Sequence, residues 1–272
     1  MVRQVFLPAT TLVALLLPTA LGSCQWSVLR MNSDSYIESQ ASGELDPSFL
    51  PSSIKYTEND RSLPIKSGLI SRPLKLDHTH VIIDQTGCAI HANLIVTSPS
   101  NPYVVATHIY YTPRGSTGSA LDVSLVDTIV TTTGDYNFNA SATLAHFSSE
   151  DWSSLSRTKQ DTRETLQAAA DAYLDLWSNS SAIVPWGAPC ARLEGGEYVT
   201  GTAGEECAKG LPNGTQPANT NRRYVIDETV GAVSVFSSFG SAGGAPDSHE
   251  FRVLDGKVKY VHRITASGSV DV

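Results

Sequence analysis

The sequence lacks most of the short signatures by which enzyme chemistry can be recognised. It contains no G-x-S-x-G elbow, no H-E-x-x-H and no dinucleotide fingerprint, which argues against a serine hydrolase, a zinc protease and a nicotinamide enzyme. The glycine-rich stretch Phe239–Pro246 is followed by no Walker lysine and lies between apparent strands, so it reads as a connection able to cover a pocket rather than as a phosphate loop. Basic residues are scarce: 19 Lys and Arg against 27 Asp and Glu give a formal charge of −8, the wrong sign for nucleic acid or for a polybasic membrane patch. The four cysteines form no C-x-x-C pair and no zinc-like cluster, so neither a metal nor a cofactor is expected. Long apolar runs are also missing; the one candidate, Leu12–Gly22, is shorter than the ~20 residues a membrane helix needs.

That run follows Arg3 and ends in Ala20-x-Gly22, the small-residue pattern of a signal-peptidase site. Residues 1–22 therefore read as a leader, and the mature chain is expected to begin near Ser23 and to reside outside the cell or in the secretory lumen. "LGSC" would instead place Cys24 at a lipidated N-terminus in a bacterial source, whereas three sequons, at Asn139, Asn179 and Asn213, favour a eukaryotic secretory route with glycosylation. An even cysteine count in an oxidising compartment points to bridges. Cys190 and Cys207 enclose a glycine-rich segment and make an economical local pair, leaving Cys24 for Cys88.

The chain repeats itself. "IIDQTG" (Ile82–Gly87) returns as "VIDETV" (Val225–Val230), "DSYIES" (Asp34–Ser39) as "DAYLDL" (Asp171–Leu176), and "VSLVDTIVT" (Val123–Thr131) as "VKYVHRITA" (Val258–Ala266), all in the same order. Each copy starts with helical spacing: Trp26–Gln40 in the first, and Leu166, Ala169, Ala170, Tyr173, Leu174 and Trp177 in the second, where Asp161 and Glu164 resemble a capping box. Alternating segments follow at Val81–Thr97, Tyr103–Thr112 and Asp122–Thr133, then at Tyr224–Phe239 and Ser248–Ala266. The expected class is α+β, with two tandem units at residues 23–140 and 157–272 joined by a polar linker at 141–156, each a helix packed on an antiparallel sheet.

"PWGAPCARLEGG" (Pro185–Gly196), "RRYVIDETVGAV" (Arg222–Val233) and "PDSHEFRVLDGKVKYVH" (Pro246–His262) resemble a family of fungal secreted proteins with an uncharacterised tandem domain. Each half also resembles the cone-shaped nuclear transport factor 2-like fold shared by ketosteroid isomerases, scytalone dehydratase and SnoaL-type cyclases. That resemblance implies a curved sheet and helices around a pocket for a small apolar molecule. The first helix reads as the shorter one, which sets the pocket of the first half in question.

The candidate chemistry comes from one hairpin. Asp255-Gly256 between two alternating runs signals a two-residue turn. Strict alternation from that turn sets Val253 against Val258, Phe251 against Tyr260 and His249 against His262, all on one inward face. The overlay of the halves sets His108 against Asp127 in the first unit. Neighbouring imidazoles, or an imidazole beside a carboxylate, suit acid/base catalysis near neutral pH. The expected catalytic set is His249 and His262, with Asp227, His108 and Asp127 behind them, in a pocket walled by Tyr173, Trp177, Phe251 and Tyr260. Asp84 and Asp227, from the repeated I-D-x-T, read either as bases or as fold determinants, and Arg192 with Glu194 either as a solvated pair or as a pair at the pocket mouth.

Two functions fit. One is a cofactor-independent isomerase, cyclase or dehydratase acting on a small apolar secondary metabolite; the other is a non-catalytic extracellular binding or surface protein. A pairing of the two halves as a pseudo-dimer, or of two chains as a homodimer, is compatible with both.

Overall fold

The computed structural model describes residues 24–51, 53–115 and 117–267, so the expected leader lies outside the described residues. Helix α1 (Trp26–Ser42) opens the first unit and is followed by strands β1 (Lys55–Glu58), β2 (Arg61–Ser62), β3 (His78–Asp84), β4 (Ala89–Val96), β5 (Tyr103–Pro113) and β6 (Leu121–Thr131). A connecting helix, α2 (Ala140–Phe147), lies in the segment read from sequence as a linker. The second unit repeats the plan with α3 (Arg163–Asp175), β7 (Trp186–Glu194), β8 (Glu197–Gly201), the short α4 (Gly204–Cys207), β9 (Thr220–Asp227), β10 (Ala232–Phe239), β11 (Ala245–Leu254) and β12 (Lys257–Thr265). Two six-stranded sheets result, ordered β2-β1-β6-β5-β4-β3 and β8-β7-β12-β11-β10-β9. The fold is thus α+β with two similar units in tandem.

Each sheet is mixed rather than antiparallel, because β1 runs parallel to β6 and β7 parallel to β12. Those strands fall in segments that read as irregular connections: Pro185 precedes β7 and Pro189 lies within it, and β1 is four residues long. The first helix is also the longer of the pair, with 17 residues against 13. Its buried face is diluted by polar residues, which hides the helical period. Ser33 donates to the Arg30 carbonyl, Gln40 donates to the carbonyls of Leu69 and Arg72, and Ser39 accepts from Asp46 N–H, so each buried polar group is satisfied by the chain. In α3 the N-cap is Thr162, which accepts from Thr165 N–H, while Asp161 accepts from Gly256 N–H and ties the helix to the β11–β12 turn. The disulfides are Cys24–Cys88 and Cys190–Cys207, as the spacing suggested. With Cys24 bridged, no thiol remains there for a lipid.

Alternation along each strand sends one set of side chains into the unit's own core, under its helix, and the other set toward the neighbouring sheet. Leu29 and Tyr36 of α1 pack on Ile90, Leu94, Val105 and Ile109, whereas Leu166, Ala170 and Tyr173 of α3 pack on Val233, Phe251 and Val261. Between the sheets, Ile95, Val104, Ala106 and Ile129 meet Phe236 and Ile264, and α2 adds Phe147. The fully buried Phe236 alone contributes about 1.5–3 kcal/mol to this junction.

The junction is polar at its ends and in its middle. Asp84 accepts from Ile226 N–H of the other unit at 3.0 Å, and Asp227 accepts from Ile83 N–H at 2.8 Å. The repeated I-D-x-T is therefore the device that joins the units. At the centre, Ser234 Oγ lies 2.8 Å from His108 Nε2 and 3.1 Å from His91 Nδ1, while the His91 ring reaches Glu250 at 3.6 Å.

Candidate functional site

The β11–β12 hairpin turns at Asp255-Gly256, both with positive φ, and starts with Leu254 opposite Lys257 and Val253 opposite Val258. A bulge at Lys259 then interrupts the ladder. Beyond it Phe251 faces Val261, Glu250 faces His262 and His249 faces Arg263. One extra residue moves the rest of the strand to the opposite face. The expected His249–His262 pair therefore does not form: His249 points into the second unit's core and His262 into the junction between the sheets.

The same bulge occurs at Ser124 in the first unit, between the Tyr110–Leu125 and Tyr111–Val123 pairs. Counting from the bulges makes Thr107 the counterpart of His249 and His108 the counterpart of Glu250. The strands betray it by spacing. Val258 and Val261 are both buried in one core, as are Val123 and Val126, and apolar residues three apart on a strand require an insertion.

The remaining expected site residues are dispersed accordingly. His108 does sit opposite Asp127, but both belong to the junction. His108 stacks on Phe236 at 3.6 Å and bonds Ser234 and the Tyr110 hydroxyl, whereas Asp127 accepts from Thr57 and from Arg223 of the second unit. Asp227 is occupied by Ile83 N–H, Thr229 and Val230 N–H. His262 lies 2.6 Å from Glu150, whose carboxylate also accepts from Trp152 and Tyr198. Tyr260 faces Trp152 and is not part of the second unit's hydrophobic core. Tyr173, Trp177 and Phe251, expected on a pocket wall, belong to the second hydrophobic core, and of the three Trp177 lines a cavity.

That core contains a charged cluster around His249. Its Nδ1 lies 3.1 Å from Asp247 Oδ2, and both side chains are wholly buried. Asp247 also accepts from Thr265 Oγ1 at 2.7 Å and from Arg263 Nε at 3.2 Å. Burial alone would raise the Asp247 pKa, but the charges of His249 and Arg263 and the hydrogen bonds from His249 and Thr265 outweigh it and hold the carboxyl below its ordinary value. Arg263 lies between the Phe239 ring, 3.9 Å from its centroid, and Tyr136, and approaches Glu194 at 3.6 Å. Glu194 is bonded by Arg192, which also donates to the Lys209 carbonyl. Arg192 and Glu194 are thus a pair at the pocket mouth rather than a solvated one.

An open cavity of about 370 Å³ lies over this cluster, lined by Tyr136, Trp177, Arg192, Glu194, Phe239 and Arg263. Ser241, from the glycine-rich connection, stands at its edge. Several buried polar atoms beneath have no protein hydrogen-bond partner: the Tyr173 hydroxyl, His249 Nε2, Arg192 Nε and one Arg263 Nη. Burial pushes the Tyr173 pKa up, and Glu194 adds to the shift, so its hydroxyl is a donor throughout the physiological range.

The first unit shows what the same positions look like when closed. Where the second has Asp247, His249, Arg263 and Thr265, the registers of the first place Val105, Thr107, Thr128 and Val130. Tyr36, the counterpart of Tyr173, bonds Thr107 at 2.7 Å, and Thr107 bonds Thr128 at 3.1 Å. The polar groups satisfy one another there, whereas in the second unit, among the described residues, the buried Tyr173 hydroxyl and His249 Nε2 have no protein hydrogen-bond partner.

No cluster of three metal-ligating side chains with suitable geometry occurs among the described residues. Asp247, Arg263 and the junction histidines His80 and His91 escaped the sequence reading; only the three-residue valine spacing could have revealed that the inward face carries Arg263 rather than His262. All three sequon asparagines are exposed.

Residues 159–265 match the family model described as a domain of unknown function, DUF8021. The second unit carries that match. The DUF8021 segment runs from just before α3 to the last residue of β12 and includes Tyr173, Arg192, Glu194, Asp247, His249 and Arg263. No curated protein matches the chain in sequence.

Proposed function

We propose that the second unit is a nuclear transport factor 2-like cone that binds a small molecule combining an apolar body with an oxygen-rich or anionic end. The observation that carries this reading is the contrast between equivalent positions: a closed Tyr36–Thr107–Thr128 chain in one unit, and unpartnered donors beneath a cavity in the other. Trp177 and Phe239 supply the apolar wall, while Arg192 Nε and one Arg263 Nη, which have no protein acceptor among the described residues, supply donors for an oxygen-rich end. Two disulfides suit an oxidising, secretory or extracellular setting.

On a bound ligand, His249 oriented by Asp247 would move a proton, with Arg263 and the Tyr173 hydroxyl stabilising an enolate-like oxygen. This is the chemistry of a cofactor-independent isomerase, cyclase or dehydratase. Non-catalytic binding is the second reading, favoured by the complete burial of His249 behind Tyr173 and Trp177.

The deciding experiment is native mass spectrometry of the secreted, glycosylated protein with analysis of a solvent extract. A retained acidic or carbonyl-bearing apolar molecule that Arg263→Ala releases supports the reading. An empty protein that also fails to bind a panel of aromatic and terpenoid acids counts against it.

A further inference from the structure

A second cavity, of about 580 Å³, opens where the two units meet. Its walls come from separate parts of the chain: Trp26 and Arg30 of α1, Thr79 and His80 of β3, Gln85 of the β3–β4 turn, Trp152 and Ser154 of the segment between the units, and Thr229 of the β9–β10 turn. Val81, Ile83 and Val230 add apolar surface. None of these residues lines the cavity over the second core.

The chemistry of the groove is specific in two respects. It offers a flat apolar face, since Trp26 is 46% exposed and lines the groove. Its charges are already matched: Asp227 is held by backbone and Thr229 donors, Arg30 is paired with Asp34 at 2.9 Å, and His80 Nε2 is turned to the buried Glu250 at 3.1 Å. What remains for a ligand is a set of neutral hydrogen-bonding groups from Thr79, Gln85 and Ser154, beside indole rings.

Among the described residues a free anion would find no unmatched cation here beyond the exposed Arg30 pair, and a purely apolar ligand would leave the hydroxyl and amide groups without partners. A ring that is apolar on its flat side and hydroxylated at its rim satisfies both. We propose that this groove is a carbohydrate-binding site, with one sugar ring stacked on Trp26 and its hydroxyls bonded by Gln85 and the neighbouring hydroxyl side chains.

The test is a titration of the intact secreted protein, after removal of its own glycans, with neutral oligosaccharides of glucose, N-acetylglucosamine, xylose and mannose, followed by tryptophan fluorescence and by calorimetry. One of these series should bind, and Trp26→Ala should weaken it at least tenfold; Gln85→Ala, half-buried in the β3–β4 turn, should weaken it several-fold while leaving thermal stability unchanged. Arg263→Ala, in the other cavity, should leave the sugar affinity intact. Absence of binding by all four series would overturn the assignment, as would binding insensitive to both groove variants or preferential binding of a sulfated oligosaccharide or an apolar dye.

Discussion

Asp84 and Asp227 hold each other's strands: each carboxylate accepts the backbone N–H of the residue that precedes its counterpart, Ile226 for Asp84 and Ile83 for Asp227. The exchange is symmetrical in the backbone but not in charge, because only Asp84 is also gripped by Arg163 through two contacts of 2.7 Å. Asp84→Asn should therefore destabilise the protein by about 2–4 kcal/mol, since it leaves a partly buried guanidinium without its anion. Asp227→Asn keeps an acceptor oxygen and should cost about 1–2 kcal/mol. Denaturant midpoints of the two variants measure the difference; equal losses would show that Arg163 contributes nothing to the junction.

The two buried tyrosines should respond differently to loss of their hydroxyls. Tyr36→Phe removes a hydrogen bond to Thr107 and should cost about 1–2 kcal/mol, whereas Tyr173→Phe removes a hydroxyl without a protein partner and should be close to neutral or stabilising. Thermal melts of the pair decide this. A large loss for Tyr173→Phe would mean that its hydroxyl is already satisfied in the free protein.

His249 and His262, expected to act together, should separate cleanly. His262→Gln disturbs a contact with Glu150 in the junction and should lower stability by about 1–3 kcal/mol while leaving ligand affinity at the second core unchanged. On the proposed function, His249→Gln should alter ligand handling: a drop in kcat with little change in binding marks proton transfer, and a change in affinity alone marks a binding role.

These contrasts show what could be read from sequence and what could not. Duplication, class, disulfides and the Asp255-Gly256 turn were legible because turn chemistry and repeated short words are local. The inner face of β12 was not, because Lys259 shifts the register and a single inserted residue exchanges His262 for Arg263 on that face. His108 opposite Asp127 was placed correctly, yet its role lay in what the other sheet brought to it, Ser234 and Phe236, which no local pattern announces. Strands β1 and β7 escaped because proline, glycine and short length mask their alternation.

Acid should loosen the junction. Burial, reinforced by His91 and Arg223, holds the His108 pKa well below its ordinary value, and the Glu250 carboxylate only partly opposes this. The folded-state pKa is depressed, so the unfolded chain takes up the proton first. The stabilisation is fully present above pH 6.5 and is lost as pH falls below it, by up to about 1.4 kcal/mol per pH unit for this one histidine. Ser234, Tyr110 and the Asp127–Arg223 pair surround the ring, and His78, lowered by burial and by His80, adds in the same direction. Melting temperatures measured from pH 8 to pH 5 should fall, and His108→Asn should flatten part of that slope. An unchanged slope in the variant would assign the acid sensitivity elsewhere.

The reciprocal aspartates have a further consequence for a unit that stands alone. Freed from its partner, the second unit would expose Phe236 and Ile264, leave Glu250 without His80 and His91, and strip Ile226 N–H of its acceptor. Covalent linkage turns what would otherwise be a bimolecular association into an intramolecular one at high effective concentration. Assembly of the junction is then independent of dilution, and its melting temperature should not vary with protein concentration.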